Sequence, residues 1–156
     1  MHDFPLPPGA RVGIYLTHGS ELDTAPLIAM AQRRGWRLYV PVLLPSRTRG
    51  MVFAPLDGPM QRNRYGISQP ADSTLRLHPR WLDLVYVPLV AFGSRGERLG
   101  SGAGYYDRAF TFRHGRNRPR LVGLAFECQQ APALQLQPWD VALDAVVTER
   151  ATHRFR

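Results

Sequence analysis

Lysine is missing from this chain altogether: all 20 basic residues among the 156 are arginine, set against 12 acidic ones, for a formal net charge of +8. That absence removes whole classes of chemistry. A Walker-type phosphate loop needs a lysine on the β and γ phosphates, a protein kinase needs one on a strand, and Schiff-base catalysis needs an amine. Cysteine is nearly absent as well. Cys128 stands alone, so no intramolecular disulfide forms and the chain fits a reducing cytoplasm. It reads as a small buried residue rather than a nucleophile. No apolar run approaches the ~18 residues that cross a bilayer, and the start carries Asp3 and prolines instead of a basic then apolar signal. The expectation is a cytoplasmic protein with no membrane partner. His2, His18, His78, His114 and His153 show no metal-ligand spacing.

What is present is an ordinary globular composition, 44% hydrophobic and 21% charged, in a chain long enough for one domain with a substantial core. Arginine keeps its charge at any working pH and grips phosphate or carboxylate through paired hydrogen bonds. The arginine bias reads either as an anionic ligand or as a general preference for arginine over lysine. A nucleic-acid partner is not expected, because the basic residues are scattered and no reading helix or RNA-binding motif accompanies them.

Apolar runs alternate with helical patterns. Residues 12–16 read as a buried strand, 17–23 as a polar turn, and Asp23 or Thr24 as the N-cap of a helix with Pro26 in its first turn. Leu27, Ile28, Met30 and Ala31 form its apolar face, Arg33-Arg34-Gly35 ends it, and 37–43 is the next strand. Strand, helix, strand in succession argues for parallel strands joined by a crossover. Further strands are read at 51–54, 84–92, 121–126 and 145–148. Arg47, Arg49, Arg62 and Arg64 make 45–79 either an anion-facing segment or a solvated basic surface. Arg113, Arg116, Arg118 and Arg120 read as a mobile basic connection. The fold class expected is α/β: a single domain with a three-layer, open, mostly parallel sheet, helices on both faces, Rossmann-like. Residues 1–11 form an irregular lead-in, 12–150 the domain and 151–156 a basic tail.

The stretch from Arg98 to Arg108, RLGSGAGYYDR, packs three glycines, two phenols, a carboxylate and two guanidiniums into eleven residues. Glycine tolerates positive φ and lets a ligand approach the backbone N–H groups. Following a buried strand and preceding a helix read over 105–112, the loop is either an anion cradle or a turn.

Pro88 to Phe92, Gly96 to Gly100 and Gly102 to Arg108 together resemble the signature of the 5-formyltetrahydrofolate cyclo-ligase family, also called methenyltetrahydrofolate synthetases. Glu21 to Thr24, Asn63 to Ile67, and Pro138-Trp139-Asp140 with Asp144 are similar to family landmarks in the same order. The resemblance implies closure of 5-formyltetrahydrofolate to 5,10-methenyltetrahydrofolate, with ATP as co-substrate and Mg2+ as cofactor, by phosphorylation of the formyl oxygen. It places Arg98, Gly100, Ser101, Gly102, Ala103, Gly104, Tyr105, Tyr106 and Asp107 at ATP. Tyr106, Asp107 and Arg108 are implied in catalysis, Asp107 and Asp144 as metal ligands, and Leu16, Glu21, Tyr65 and Tyr105 at the folate, polyglutamylated or not. For Tyr65 the other reading is a ring packed under a loop. A monomer is expected. The family also begins with a helical segment carrying basic side chains to the ATP phosphates, which is not evident in the residues before Val12. A non-catalytic folate- or nucleotide-binding relative is therefore the alternative.

Overall fold

The computed structural model describes residues 4–45, 50–71 and 75–155, so Arg47 and Arg49 lie outside the described residues. The strands described are β1 (Arg11–Gly13), β2 (Arg37–Leu43), β3 (Met51–Pro55), β4 (Met60–Arg62), β5 (Ser68–Pro70), β6 (Leu84–Pro88), β7 (Ala91–Phe92), β8 (Arg98–Leu99), β9 (Arg120–Leu124), β10 (Ala145–Val147) and β11 (Thr152–Arg154). Two α-helices accompany them, α1 (Ala25–Arg33) and α2 (Tyr105–Ala109). Seven strands form one sheet in the order β11-β10-β9-β6-β1-β2-β3. Its five inner strands are parallel, and antiparallel β11 and β3 close the two edges. Two ribbons, β4 with β5 and β7 with β8, stand outside it. Among the described residues, no helix is long and apolar enough to cross a membrane.

The expected α/β sheet is there, but its second face is not layered with full helices. On one face α1 buries Leu27 and Ala31 against Val12, Ile14, Val40 and Leu84, with Ile28 and Met30 packed beside them. Thr24 is the N-cap residue of this helix, its carbonyl accepting the Ile28 N–H at 2.9 Å, but the side-chain bond to the helix start comes from Asp23, whose Oδ1 accepts the Ala25 N–H at 2.9 Å. The Thr24 hydroxyl instead donates to the Tyr15 carbonyl at 3.0 Å, on the stretch where the sequence pattern carries the strand on to residue 16. On the other face Phe53, Val85, Val87, Leu121 and Val146 meet Tyr105 and Phe110, together with Val141 and Leu143. Helix α2 stops after five residues, short of the expected 105–112. The Thr111 hydroxyl donates to the Asp107 and Arg108 carbonyls at 2.9 and 3.1 Å, competing with the continuing helix ladder.

Further expectations are corrected. The run 84–92 is not one strand: Pro88 ends β6, and the Val90 N–H donates to the Leu99 carbonyl at 2.8 Å, so β7 pairs with β8. The segment 151–156, expected only as a basic tail, supplies an edge strand: Thr152 to Arg154 pair with β10. Arg113 is not part of a mobile connection: it is 2% exposed, and its guanidinium reaches Asp144 at 2.7 Å. Cys128 is exposed, because it sits in the 3-10 turn Glu127–Gln129 beyond β9 rather than in the core. In the lead-in, Phe4 is buried against the core that α1 covers.

Candidate active site

A cavity of about 740 Å³ opens where β1, β2 and β6 end, touched by Leu16, Leu43 and Pro88. That is the edge of an open parallel sheet at which ligands collect. Its size is within the range of small-molecule sites, about 300–1,000 Å³.

One wall is the loop 98–107. Gly102 and Gly104 have φ of +103° and +70°, a region in which L side chains are strained. Gly100 is small for another reason: a Cβ there would lie 2.7 Å from Arg98 Nη1. The guanidinium of Arg98 therefore runs beneath the loop. Its side chain is only 6% exposed; it donates to the Pro88 carbonyl at 3.2 Å and to Asp107 Oδ2 at 3.3 Å, and lies 5.5 Å from the Tyr106 ring centroid. The other Asp107 oxygen accepts the Val141 N–H at 3.1 Å. Burial pushes the Tyr106 phenol far above its ordinary pKa, and nearby Arg98 only partly opposes this. Tyr106 remains an O–H donor at neutral pH.

The facing walls come from the connection after β1 and from the β4–β5 hairpin. Glu21 accepts the His18 N–H at 2.9 Å, and burial raises its pKa while that hydrogen bond pulls the other way. Asn63 Oδ1 accepts the N–H groups of Tyr65 and Ile67 at 2.9 and 3.2 Å and so shapes the hairpin turn. Arg64 donates to the Tyr105 hydroxyl, and the Tyr65 hydroxyl lies 3.4 Å from it. The hairpin is thereby tied to the glycine loop across the cavity.

The model of the 5-formyltetrahydrofolate cyclo-ligase family matches residues 8–149. The chain belongs to that family. It is 37% identical over 148 residues to the 5-formyltetrahydrofolate cyclo-ligase of Escherichia coli K12, covering 92% of this chain and 80% of that protein. Against the Haemophilus influenzae cyclo-ligase it is 36% identical over 137 residues, covering 85% and 72%. The NMR structure of the Aquifex aeolicus 5,10-methenyltetrahydrofolate synthetase superimposes with a TM-score of 0.75 at 29% identity, over 95% of this chain and 73% of that one.

Most of the cyclo-ligase residues named from sequence meet in this one cavity: Leu16, Glu21, Tyr65 and the whole loop from Arg98 to Asp107 line it. Tyr65 is 47% exposed, so it is not a ring packed under a loop. Two residues are not brought there. Arg108 lies off the cavity wall with its guanidinium 5.0 Å from the Tyr105 ring centroid. Asp144 points elsewhere, one oxygen accepting both Arg113 Nη2 at 2.7 Å and the Leu121 N–H at 2.8 Å. Sequence reading passed over Asn63, Gln135, Gln137 and Trp139 as cavity residues. The Asn63 to Ile67 and Pro138-Trp139-Asp140 landmarks were the available signals for Asn63 and Trp139.

The carboxylate inventory decides what metal fits. Among the described residues, no group of three or more His, Cys, Asp or Glu side chains is arranged to hold an ion. An all-protein cage is therefore absent from them. Asp107 and Asp140 do line the cavity, and each Asp107 oxygen accepts a single named hydrogen bond, leaving acceptor capacity. That set fits Mg2+, which binds through one or two carboxylates plus phosphate oxygens and water.

Proposed function

We propose that this chain converts 5-formyltetrahydrofolate and ATP to 5,10-methenyltetrahydrofolate, ADP and phosphate. The observation that carries the reading is the single cavity in which Glu21 and Tyr65 face the loop from Arg98 to Asp107. A formamide carbon is a weak electrophile, so its oxygen is first activated. The formyl oxygen bonds to the γ-phosphorus as the bond to the ADP oxygen breaks. N10 then attacks the formyl carbon and loses its proton, and the C–O bond breaks to release phosphate, leaving the methenyl cation.

Each wall supplies part of this. The amides around Gly102 hold the phosphate tail, with the guanidinium of Arg98 beneath them offsetting charge that builds during transfer. Tyr106, a phenol that burial pushes further from ionisation, donates to a phosphoryl oxygen. Glu21 accepts pterin N–H groups and Tyr65 covers the folate ring, which holds the formyl oxygen in line with the phosphate. Asp107, with Asp140 at the same cavity, would hold Mg2+, whose contribution when bound is to neutralise phosphate charge. Cys128, exposed and the chain's single cysteine, suits a reducing compartment, and a cytoplasmic monomer is the form proposed.

The test is direct. Purified protein given 5-formyltetrahydrofolate, ATP and magnesium develops the near-ultraviolet absorbance of the methenyl product. No ATP-dependent change at high protein concentration sinks the proposal and leaves a binding protein without turnover.

A further inference from the structure

The cavity lies where the parallel strands end; the opposite edge of the sheet, where they begin, has no part in the roles given above. Arginines that look scattered in the chain are gathered there. Arg11, Arg37 and Arg120 open β1, β2 and β9. Arg11 and Arg37 are register partners on neighbouring parallel strands, so their side chains leave the same face. Asp83, just before β6, ties the row together. Its N–H donates to the Arg11 carbonyl at 2.8 Å, its carboxylate accepts the Arg11 N–H at 2.8 Å, and its carbonyl accepts the Arg120 N–H at 3.1 Å. With neighbouring strands ~4.8 Å apart, the row runs over about 14 Å from β2 to β9.

A cleft of about 550 Å³ continues this edge, lined by Arg80, Trp81, Phe112, Arg116, Asn117 and Arg118. Its walls are fixed. Trp81 is 53% exposed, yet the next residue, Leu82, is anchored in the core, and the Trp81 N–H donates to the His78 carbonyl at 3.0 Å. The Arg80 guanidinium lies 5.4 Å from the indole centroid. Phe112 packs on Phe110, ring centroids 5.9 Å apart. Across the cleft, buried Arg113 holds residue 116 twice: its guanidinium donates to the Arg116 carbonyl, and its own carbonyl accepts the Arg116 N–H at 3.0 Å.

The carboxylates of the chain do little to cancel this charge. Glu21, Asp107 and Asp140 line the cavity at the other end, and Glu127 and Glu149 come after β9 and β10, towards that end. Asp83 stands 3.9 Å from Arg118, whose side chain is 80% exposed, and such a pair is weak in water. Asp144 is taken by Arg113, and Asp57 follows β3, on the far side of β2 from the cleft. The layout selects among polyanions. A row of guanidiniums about 14 Å long spans more than one phosphate, so it exceeds what a mononucleotide uses. An exposed indole beside guanidiniums stacks on an open base face, which a duplex withholds. A membrane surface calls for apolar groups that protrude, whereas Trp81 and Phe112 line a cleft.

We infer that this edge binds single-stranded nucleic acid without sequence preference, one base stacking on Trp81 and the phosphates lying on Arg116, Arg118 and the row from Arg120 to Arg37. None of these residues lines the cavity, so the inference is independent of the proposed reaction. Fluorescence anisotropy of a short labelled single strand of mixed sequence, titrated with the protein over a range of salt concentrations, tests it. Trp81→Ala weakens binding about tenfold at every salt concentration and Trp81→Phe recovers most of the loss, as expected of base stacking. Arg116→Gln with Arg118→Gln lowers the slope of log affinity against log salt by about 1.4, the share of two phosphate contacts on a single strand. That double variant leaves the indole in place and decides the matter if Trp81→Ala does not fold. Gly102→Ala, which alters the nucleotide loop, binds the strand as the wild type does. Wild-type affinity in folded Trp81→Ala, or an unchanged slope in the double variant, overturns the assignment. Loss of binding in Gly102→Ala moves the strand to the cavity and overturns it as well. So does tighter binding to the matching duplex, to UMP, or to vesicles of equal parts phosphatidylglycerol and phosphatidylcholine.

Discussion

Asp107 and Val141, 34 positions apart in the chain, are joined by a 3.1 Å hydrogen bond from the Val141 N–H to the carboxylate. The other oxygen of the same carboxylate holds Arg98 at 3.3 Å. One side chain thus fixes both the guanidinium under the glycine loop and the segment that follows Trp139.

Asp107→Ala is expected to abolish measurable turnover. It also lowers stability by about 1–3 kcal/mol, because a guanidinium only 6% exposed loses its carboxylate while the site remains partly open to water. Denaturant unfolding measures the second effect and product absorbance the first. An active Asp107→Ala protein removes this carboxylate from the chemistry.

The glycines of the loop separate by mechanism. At Gly102 an added Cβ meets nothing within 4 Å, but φ is +103°; Gly102→Ala is expected to strain the loop by about 1–2 kcal/mol and to raise the KM for ATP. At Gly100 an added Cβ sits 2.7 Å from Arg98 Nη1. Gly100→Ala displaces that guanidinium and should lower kcat as well as raise KM. Equal kinetic effects from the two substitutions argue against an Arg98 role in transfer.

Glu21 sets an acid limit. Burial raises its pKa, so the carboxylate is neutralised on acidification at a pH above the ordinary carboxylate value. The KM for folate should climb as pH falls through that value, and Glu21→Gln should flatten the climb. For stability the sign is opposite to that of a salt-bridged acid. The fold disfavours the ionised form, so Glu21→Gln stabilises at neutral pH, and the gain disappears once the wild-type group is protonated. Thermal unfolding at neutral and acidic pH distinguishes the two signs.

Asp144 belongs to the frame. Its partner Arg113 has a side chain 1% exposed and a buried Nε with no partner among the described residues. Asp144→Ala leaves that charge uncompensated and should destabilise by about 3 kcal/mol or more. Asp144→Asn, which keeps an acceptor for the Leu121 N–H, should fold well enough to assay and should need the same magnesium concentration for half activity. A shifted magnesium requirement would return Asp144 to the metal.

The parallel sheet could be read from the chain because β2, β6 and β9 each carry a run of branched apolar residues, and because Gly35 stops α1 where its apolar face ends. The extent of the glycine loop was legible from its composition and from its likeness to the cyclo-ligases. What could not be read depends on distant partners. Nothing local shows that Arg113 will find Asp144 across 31 positions, or that Phe92 leaves the sheet to pair with Arg98. The exposure of Trp139 was hidden for the same reason, since an indole between a proline and an aspartate reads equally well as core.

The Arg98 guanidinium has one further consequence. An ammonium enclosed to the same degree would shed its proton as its surroundings dried, and the positive charge under the nucleotide loop would fade whenever the cavity closed over its contents. A guanidinium does not respond in this way. With no lysine anywhere in the chain, the charge under this loop is carried by a planar fork that reaches the Pro88 carbonyl and the Asp107 carboxylate at once.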